Sequence, residues 1–570
     1  MCGIIAIANK NQAAKQDIVF GLKALEYRGY DSAGAIFARN FEVYKTIDSI
    51  ETLEKMISKT TDTIGIGHTR WATHGAICLE NAHPIVIGNA SIVHNGIIEN
   101  AEKLKAEFNL KTKGQTDTEV LLALFIFLLK KNNNDTLKTL EEIKVLTIGS
   151  YACAFLFAHS NKIFFAKKGL SPLICAQNEH GCLIASDELA ISKDSTIFDL
   201  SQDCYGFITP DTFEIIQNDT IKQHSIKGNV LVKPNQDKTF LEIEIESQKE
   251  IFLKESKLEP LKNKYDLKKY DSILLIGCGS AYIAATIGAI WLEEHGINAH
   301  AEIASEWNSR KIAKQSNTLA IFISQSGETA DTLSALRIAK SLNMQTLAII
   351  NKETSTIAKE AHEYIHLNIG QEQSVASSKA FTAQLLKLFS LTFGSIDESV
   401  SQAIFQVINI DLAKHIDAIL SFKKTIILGK NTMYSIAKEG ALKINEITYL
   451  NTQAYASGEL KHGYIALIDE DTLVIALLPK ANEHDEFEHN LYMKALSNIS
   501  EIKTRSGRIM LIASQTHANA DFFINMPEVQ YKHSPFTYAV IMQRIALELG
   551  KKLNTSIDRP RNLAKAVTVE

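Results

Sequence analysis

The chain has 570 residues, of which 45% are hydrophobic and 22% charged, and its formal net charge is −5. This length suits roughly three or four domains, and the apolar content can bury more than one core, which excludes a lone small fold and a mainly disordered chain. The slight acidic excess, with no dense basic run, disfavours nucleic-acid binding.

No segment of the sequence predicts secretion or a membrane span. The longest apolar run, residues 120–129, is about half as long as the roughly 20 residues of a membrane helix, and the N-terminus lacks a signal-peptide pattern. The seven cysteines are scattered without C-x-x-C spacing, which disfavours a disulfide framework or a zinc site. We therefore expect a cytoplasmic protein that needs no metal and no cofactor.

Short β-rich runs dominate the first part of the chain, with few helical stretches between them. This texture is typical of an α+β domain, which we place at residues 2–225. Residues 226–257 turn polar around Pro234 and then rich in Glu and Lys, so we predict a linker there. The predicted strands of this domain are residues 3–8, 33–38, 63–68, 90–94, 152–158 and 162–167.

The second part alternates strand-like runs with helix-length segments, which is the pattern of parallel sheets covered by helices. A shift of 152 positions superposes Gly277 on Gly429 and Tyr282 on Tyr434, and it also aligns predicted strands. We therefore expect two related α/β domains with doubly wound parallel sheets, at 258–405 and 406–560, before a tail at 561–570. Their predicted strands are residues 272–276, 318–323, 345–350, 425–428, 472–478 and 509–513.

Cys2 stands apart from the other cysteines, because removal of Met1 leaves it as the first residue of the mature chain. A thiol attacks as its thiolate, and a free α-amino group beside it is a base with a pKa of about 8. This is the arrangement of N-terminal nucleophile hydrolases. The alternative is a buried, inert thiol.

Three runs concentrate Gly, His, Arg and Asn where predicted strands end. Each alone fits turn chemistry, but together they supply what amide hydrolysis needs. Asn95 and the backbone N–H of Gly96 suit an oxyanion hole, while Arg70 and Asp117 suit the carboxylate and ammonium of an amino acid. The three runs are residues 27–34, 67–75 and 94–100.

These runs, with Cys2 and residues 114–119, resemble the class II glutamine amidotransferase domain over about residues 2–225. The resemblance implies an N-terminal nucleophile hydrolase fold in which Cys2 attacks the side-chain amide of glutamine and releases ammonia. It also implies that Asn95 and Gly96 stabilise the oxyanion and that Trp71 acts in gating. The glutamine-binding residues that it implies are Arg70, Thr73, His74 and Asp117.

A loop rich in hydroxyl groups, residues 324–333, follows a predicted strand and precedes a helical run. Hydroxyls and backbone N–H groups at a helix N-terminus favour a phosphate, although a Ser/Thr helix cap explains the same residues. The loop at 277–280 follows another strand and can face the same ligand. It lacks a full G-x-G-x-x-G and so gives little support for a dinucleotide.

Ionisable residues in three later segments suit acid–base and carbonyl chemistry. Glu439, Lys443 and Glu446 share one helix face, and we favour a partly buried acid–base group over an exposed ladder of ion pairs. His462 suits proton transfer to a sugar oxygen. Lys565, in an apolar tail, suits a Schiff base if it is desolvated.

These motifs, with residues 375–382, resemble paired sugar isomerase domains. The resemblance implies that Lys565 opens and binds a ketose, that Glu446 moves a proton between C1 and C2, and that His462 comes from the neighbouring subunit of a homodimer. The implied phosphate ligands are Ser324, Gln325, Ser326 and Thr329. Further implied sugar contacts are Ser280, Val375, Ser377, Lys443 and Ala564.

The two resemblances in this order imply an enzyme that makes glucosamine 6-phosphate and glutamate from fructose 6-phosphate and glutamine, with ammonia channelled past Trp71 and the tail. Three segments depart from the family pattern: Ala281 replaces a hydroxyl residue, Tyr464 replaces a proline, and residues 241–250 match the linker poorly. A phosphoribosyl-pyrophosphate amidotransferase lacks support because no Asp-Asp phosphoribosyl motif is present. A phosphosugar-binding regulator without isomerase activity has no need of the Glu446, His462 and Lys565 set.

Overall fold

A computed structural model describes residues 2–71, 75–169, 171–229, 238–313 and 317–567. These residues fall into two compact units. The first contains residues up to 229 together with Ala566 and Val567, and the second contains residues 238–565. None of the helices in the described ranges combines the length and hydrophobicity that crossing a membrane demands.

Among its described residues, the first unit has two antiparallel sheets and five α-helices. Its strands are β1 (Gly3–Asn9), β2 (Ser32–Phe37), β3 (Val43–Thr46), β4 (Ile64–Arg70), β5 (Ile85–Ile87), β6 (Ala90–Gly96), β7 (Tyr151–Phe157), β8 (Ile163–Lys168), β9 (Ile174–Asn178), β10 (Gly181–Ala185), β11 (Ser195–Asp199), β12 (Cys204–Ile208), β13 (Phe213–Gln217) and β14 (Gln223–Ile226). Its helices are α1 (Lys15–Leu25), α2 (Ile50–Met56), α3 (Ala101–Glu107), α4 (Asp117–Lys131) and α5 (Thr136–Leu146).

The two sheets pack face to face, with helices on their outer faces. The eight-stranded sheet has the order β14-β11-β9-β10-β1-β4-β2-β3, and the six-stranded sheet has the order β13-β12-β8-β7-β6-β5. Because successive side chains of a strand face opposite sides, Ile4 and Ala154 belong to the core between the sheets. Ile5 instead belongs to the core under α1, and Phe155 to the core under α4. This confirms the predicted strand-rich α+β domain.

The described part of the second unit contains two parallel sheets and eleven α-helices. Its strands are β15 (Ser272–Gly277), β16 (Ala299–Ile303), β17 (Thr318–Ser324), β18 (Gln345–Ile350), β19 (Glu363–His366), β20 (Lys424–Gly429), β21 (Thr452–Ala456), β22 (Thr472–Leu478), β23 (Arg508–Ala513) and β24 (Phe522–Asn525). Its helices are α6 (Phe240–Glu255), α7 (Ser280–Glu294), α8 (Ala304–Asn308), α9 (Ala330–Ser341), α10 (Thr356–Glu360), α11 (Lys379–Thr392), α12 (Ser399–Ile408), α13 (Ala413–Leu420), α14 (Thr432–Thr448), α15 (Glu486–Lys503) and α16 (Ser534–Lys552).

The two parallel sheets repeat one topology. Their orders are β16-β15-β17-β18-β19 and β21-β20-β22-β23-β24, so in each sheet the first strand lies between the second and the third. This is a doubly wound order, in which ligands bind beyond the carboxyl ends of the strands where the order reverses. The prediction of two related α/β domains is confirmed, and β15 and β17 mark the switch point of the first of them.

The predicted linker at 226–257 differs in part from the structure, because residues 240–255 form the helix α6. Leu241, Ile245 and Phe252 are buried in the core of the second unit. The segment was predicted to be a linker because it is rich in Glu and Lys. Its apolar residues lie between these charged residues at helical spacing, and together they form one buried face of the helix. Thr239 caps the helix by accepting a hydrogen bond from the backbone N–H of Glu242.

Candidate functional site

Strand pairing places the predicted nucleophile. β1 and β4 are antiparallel with Gly3 opposite Thr69, which brings Cys2 to the end of β4. There the backbone N–H of Trp71 donates a hydrogen bond to Cys2 Sγ at 3.3 Å. Burial raises the pKa of the Cys2 thiol above its usual range. The thiol is therefore protonated at neutral pH, and a role as nucleophile requires a base.

Asn95, at the end of β6, lies against Cys2. Its Nδ2 donates to the Cys2 carbonyl oxygen at 3.0 Å and to Ser186 Oγ at 2.9 Å. Its Oδ1 lies 3.1 Å from His68 Nε2, which is also 3.0 Å from the carbonyl oxygen of His94. Because both oxygens only accept, His68 Nε2 carries the hydrogen. The amide group of Asn95 is thereby held with its NH₂ toward Cys2.

Burial lowers the pKa of His68 to about 3, so this histidine is neutral at physiological pH. Sequence reasoning placed His68 within a motif but gave it no role. His68 lies two residues before Arg70 on β4, so both side chains lie on the same face of the strand. This spacing is the sequence signal that could have identified His68.

Gly96 has a positive φ of 109°, and a Cβ added to it would lie 2.1 Å from the carbonyl oxygen of Ser150. The residue after Asn95 therefore has to be glycine, for both conformation and space. This predicted oxyanion residue follows Asn95 at the end of β6.

The predicted glutamine-binding residues lie on two segments. Arg70 is buried and donates from Nη1 to the carbonyl oxygen of Ala76 at 3.3 Å. Asp117 opens α4, where its Oδ2 accepts the backbone N–H of Ile98 at 2.9 Å. The Trp71 ring contacts Tyr30 edge-on with centroids 6.0 Å apart. Two further predicted residues, Thr73 and His74, lie outside the described residues.

Arg28 is a second side chain that contacts Cys2, and sequence reasoning did not single it out. Its Nε donates to the Cys2 carbonyl oxygen at 3.2 Å, and its Nη1 lies 3.8 Å from Asp187 Oδ2. Both charged side chains are buried. Arg28 belongs to the motif at 27–34, but its partner is far away in sequence, so only folding reveals the pair.

In the second unit, the hydroxyl-rich loop joins β17 to α9. Ser324 Oγ accepts the backbone N–H of Gly327 at 3.1 Å and lies 3.0 Å from Thr329 Oγ1, with Thr329 at the N-cap of α9. Gly327 has a positive φ of 66°, and a Cβ there would lie 2.0 Å from Ser355 Oγ. Gln325 and Ser326 are half-buried at the tip. The loop thus presents hydroxyls and a helix N-terminus at the switch point.

The predicted charged face of α14 points at this switch point. Ser280 Oγ, at the start of α7, donates to Glu439 Oε1 at 3.0 Å. Lys443 Nζ lies 3.5 Å from Glu439 Oε1 and 2.7 Å from Glu446 Oε2. Glu439 and Lys443 are almost fully buried, while the Glu446 side chain is 20% exposed. These three side chains therefore form a buried cluster of charges, with Glu446 as its accessible member.

Burial raises the pKa of Glu439 to about 7, in spite of Lys443. Burial opposes the charged form of Lys443 as well, but the two carboxylates outweigh it and raise the pKa of this lysine. The ammonium of Lys443 is therefore permanent, and it holds the Glu446 carboxylate in place.

Lys565 is buried despite its place near the chain end. Its Nζ forms an ion pair with Glu372 Oε2, and the two side chains are 4% and 0% exposed. Glu372 Oε1 also accepts the backbone N–H groups of Ser378 at 3.1 Å and Ala380 at 2.9 Å. Burial opposes ionisation of Glu372, but Lys565 and these donors outweigh it and lower its pKa.

The remaining predicted sugar contacts surround this pair in sequence. Val375 is buried, and its backbone N–H donates to the carbonyl oxygen of Asp558 at 3.1 Å. Ser377 and Ala564 are half-buried.

His462 is exposed, and within the part of the chain that the structure describes its ring makes no hydrogen bond or ion pair.

Comparison with known proteins agrees with this arrangement. A glutamine amidotransferase domain family matches residues 68–193, and the SIS domain family matches residues 266–392 and 419–549. The glutamine–fructose-6-phosphate aminotransferase (isomerizing) of Bradyrhizobium diazoefficiens is 34% identical over the whole of both chains. The protein of the same name from Helicobacter pylori strain J99 is 36% identical, again over both full lengths.

Among solved structures, the C-terminal domain of glucosamine-fructose-6-phosphate aminotransferase from Francisella tularensis superposes with a TM-score of 0.50 at 29% identity. The superposition covers 57% of this chain and 99% of that one. The sequence identity over the full length of these relatives, the two family matches and the geometry of both sites are consistent with one another. The chain therefore belongs to the glutamine–fructose-6-phosphate aminotransferase (isomerizing) family.

Proposed function

We propose that this protein converts fructose 6-phosphate and L-glutamine to glucosamine 6-phosphate and L-glutamate. The observation that carries the proposal is that one chain holds a cysteine nucleophile with an amide donor beside it and a sugar isomerase unit with a buried lysine and a hydroxyl-rich loop. The direct test mixes the purified protein with both substrates and identifies the products by mass. Formation of glutamate alone would contradict the synthase proposal.

In the first unit, the Cys2 thiol attacks the amide carbon of glutamine, and a thioester forms as ammonia leaves. The α-amino group of the mature Cys2 takes the thiol proton and returns it to the departing ammonia. The Asn95 amide and the Gly96 N–H stabilise the oxyanion. Water then cleaves the thioester to give glutamate. In this proposal, Arg70 and Asp117 hold the substrate, together with Thr73 and His74, and Trp71 gates the site.

We expect Asn95→Ala to lower glutaminase turnover by about 10²–10³-fold, the usual effect of losing one oxyanion donor. Stopped-time measurement of glutamate release separates kcat from KM. The matched control is Asn132→Ala, because Asn132 is also buried and hydrogen-bonded, at 3.0 Å to Glu142, but lies elsewhere in the unit. A change confined to KM would contradict the role of Asn95.

In the second unit, the loop from Ser324 to Thr329 holds the phosphate with Gln325 and Ser326, and Ser280 lies at the neighbouring helix start. The Lys565 amine adds to the C2 carbonyl of the open ketose, and ammonia then replaces the lysine at C2. Glu446, held by Lys443, moves a proton from C1 to C2 and so gives the aldose amine. Val375, Ser377 and Ala564 line the sugar.

We expect Ser326→Ala to weaken fructose 6-phosphate binding by about 10- to 100-fold, because a hydrogen bond to a charged group is lost. Calorimetry with the sugar phosphate measures the change. Glutamine hydrolysis without sugar should be unaffected. Ser341→Ala, an exposed serine at the end of α9, is the control. Unchanged sugar affinity in Ser326→Ala would place the phosphate elsewhere.

The exposure of His462 supports a role in a second copy of the chain, where it assists ring opening. A homodimer is accordingly part of the proposal. The cytoplasmic location stays a prediction from the sequence.

A further inference from the structure

A second buried carboxylate lies behind the Lys565–Glu372 pair. Glu244 lies on α6, and Glu244 and Glu372 are each only 4% exposed. Its Oε1 accepts the backbone N–H of Gln373 and that of Ser374, the latter at 3.2 Å. Glu244 lies within residues 241–250, the segment that departs from the family pattern, so the resemblance gives it no role.

The Ser378 hydroxyl lies between the two carboxylates. Its oxygen is 3.4 Å from Glu244 Oε2 and 3.5 Å from Glu372 Oε1. A hydroxyl carries one proton, so it donates to one carboxyl group and can accept from the other only when that group is protonated. The three side chains form a continuous path from Glu244 to Lys565.

The charged groups around Glu244 leave it without a cation of its own. Lys565 is bonded to Glu372, and the Lys379 ammonium donates to the carbonyl oxygens of Ile369 and Gln371 at 3.1 and 2.5 Å. Asp558, a further carboxyl near α6, accepts the N–H groups of its first turn. Among the described residues no ion pair reaches Glu244. Burial, and then the charge of Glu372, raise the pKa of Glu244 to about 8.

We propose that Glu244 and Glu372 share one proton across Ser378, and that this proton sets how readily Lys565 becomes the neutral amine that attacks the ketose. The inference rests on the proposed Schiff-base role of Lys565. Glu372 acts on Lys565 directly, and Glu244 is a positioning residue that acts through Glu372.

In the neutral pH range, Glu372 takes one proton from the Lys565 ammonium. The free amine then bonds to C2, and a second nitrogen proton passes to the carbonyl oxygen. Glu372 returns its proton to that oxygen, which leaves as water, and a protonated imine remains. When Glu244 loses its proton at higher pH, a second negative charge holds the ammonium proton in place and opposes the first step.

Glu244→Gln is the informative variant, because a glutamine has the shape of the protonated carboxyl and keeps both its accepting and its donating atoms. Borohydride trapping of fructose 6-phosphate on Lys565, quantified by mass spectrometry from pH 6 to 9.5, measures the amine. We take the ratio of variant to wild type at each pH, which cancels the reagent's own pH dependence. The ratio should be near one at pH 6.5 and rise to about threefold or more by pH 9. Glu246→Gln, on the exposed side of α6, should give a flat ratio.

Thermal unfolding gives a readout independent of the chemistry. A carboxyl that is protonated in the folded state but ionised when unfolded makes stability fall as pH rises from its ordinary value of about 4.3 to its raised value of about 8. The melting temperature of Glu244→Gln relative to wild type should therefore climb between pH 5 and 8 and level off above. Glu246→Gln should show no such trend.

A flat trapping ratio for Glu244→Gln, with an adduct on Lys565 in both proteins, would overturn the shared-proton proposal and leave the synthase proposal intact. No adduct on Lys565 in wild type at any pH would overturn both. If Glu244→Gln does not fold, infrared spectroscopy of wild type decides: a protonated buried carboxyl that titrates near pH 8 supports the proposal, and its absence refutes it.

Discussion

Replacing Cys2 by alanine is expected to abolish glutamine-dependent synthesis, with a loss of about 10⁴-fold or more, because no other group can form the thioester. Cys2 is half-buried; its thiol accepts the Trp71 N–H, and its carbonyl oxygen accepts a hydrogen bond from the Asn95 amide. Affinity for fructose 6-phosphate should remain at the wild-type value. Coupled measurement of glucosamine 6-phosphate, with calorimetry on the sugar, checks both halves of this expectation.

The matched control is Cys78→Ala, since Cys78 is also half-buried in the first unit. It should retain full synthesis. Mass analysis of the N-terminus belongs to the same experiment, because the proposed base is the α-amino group that removal of Met1 exposes. Full activity of Cys2→Ala, or of protein that keeps Met1, would refute the N-terminal nucleophile.

Replacing Lys565 by arginine is expected to eliminate the trapped sugar adduct and synthesis together. Arginine keeps the charge that faces Glu372, but a guanidinium stays protonated and cannot add to a carbonyl. The ion pair and the fold are therefore retained while the nucleophile is lost. Borohydride treatment with fructose 6-phosphate, followed by peptide mass mapping, should find one adduct on the C-terminal peptide of wild type and none on the variant.

Lys387→Arg is the control for this substitution. Lys387 is another buried lysine of the second unit that pairs with a glutamate, Glu255, at 2.6 Å, so the structural disturbance is similar. Its variant should keep both the adduct and synthesis. An adduct on a different lysine of wild type would reassign the nucleophile. Normal synthesis without any adduct would leave ring opening to His462, with Glu446 acting on the free ketose.

The sequence alone was sufficient for the fold class and for most of the predicted strands. Runs such as β18 and β22 were predicted with the bounds that the structure has. Strands are predicted from the spacing of apolar residues and from turn residues a few positions away. These signals are local, so they can be read from the sequence without knowing the fold. Asn95 and Gly96 were singled out for the same reason, since their motif lies at the end of a predicted strand.

The tertiary structure decided the pairings on which the chemistry depends. The partner of Lys565 is Glu372, 193 residues away, and the partner of the Asn95 amide oxygen is His68, 27 residues away. Helix α6 was predicted to be a linker, because its few apolar residues are recognised as one helix face only when the core against which they pack is known. The packing of helices and strands decides which buried charged groups become neighbours. The same packing removes solvent from groups such as Glu244 and Glu439, and this burial raises their pKa values. No local pattern encodes either effect.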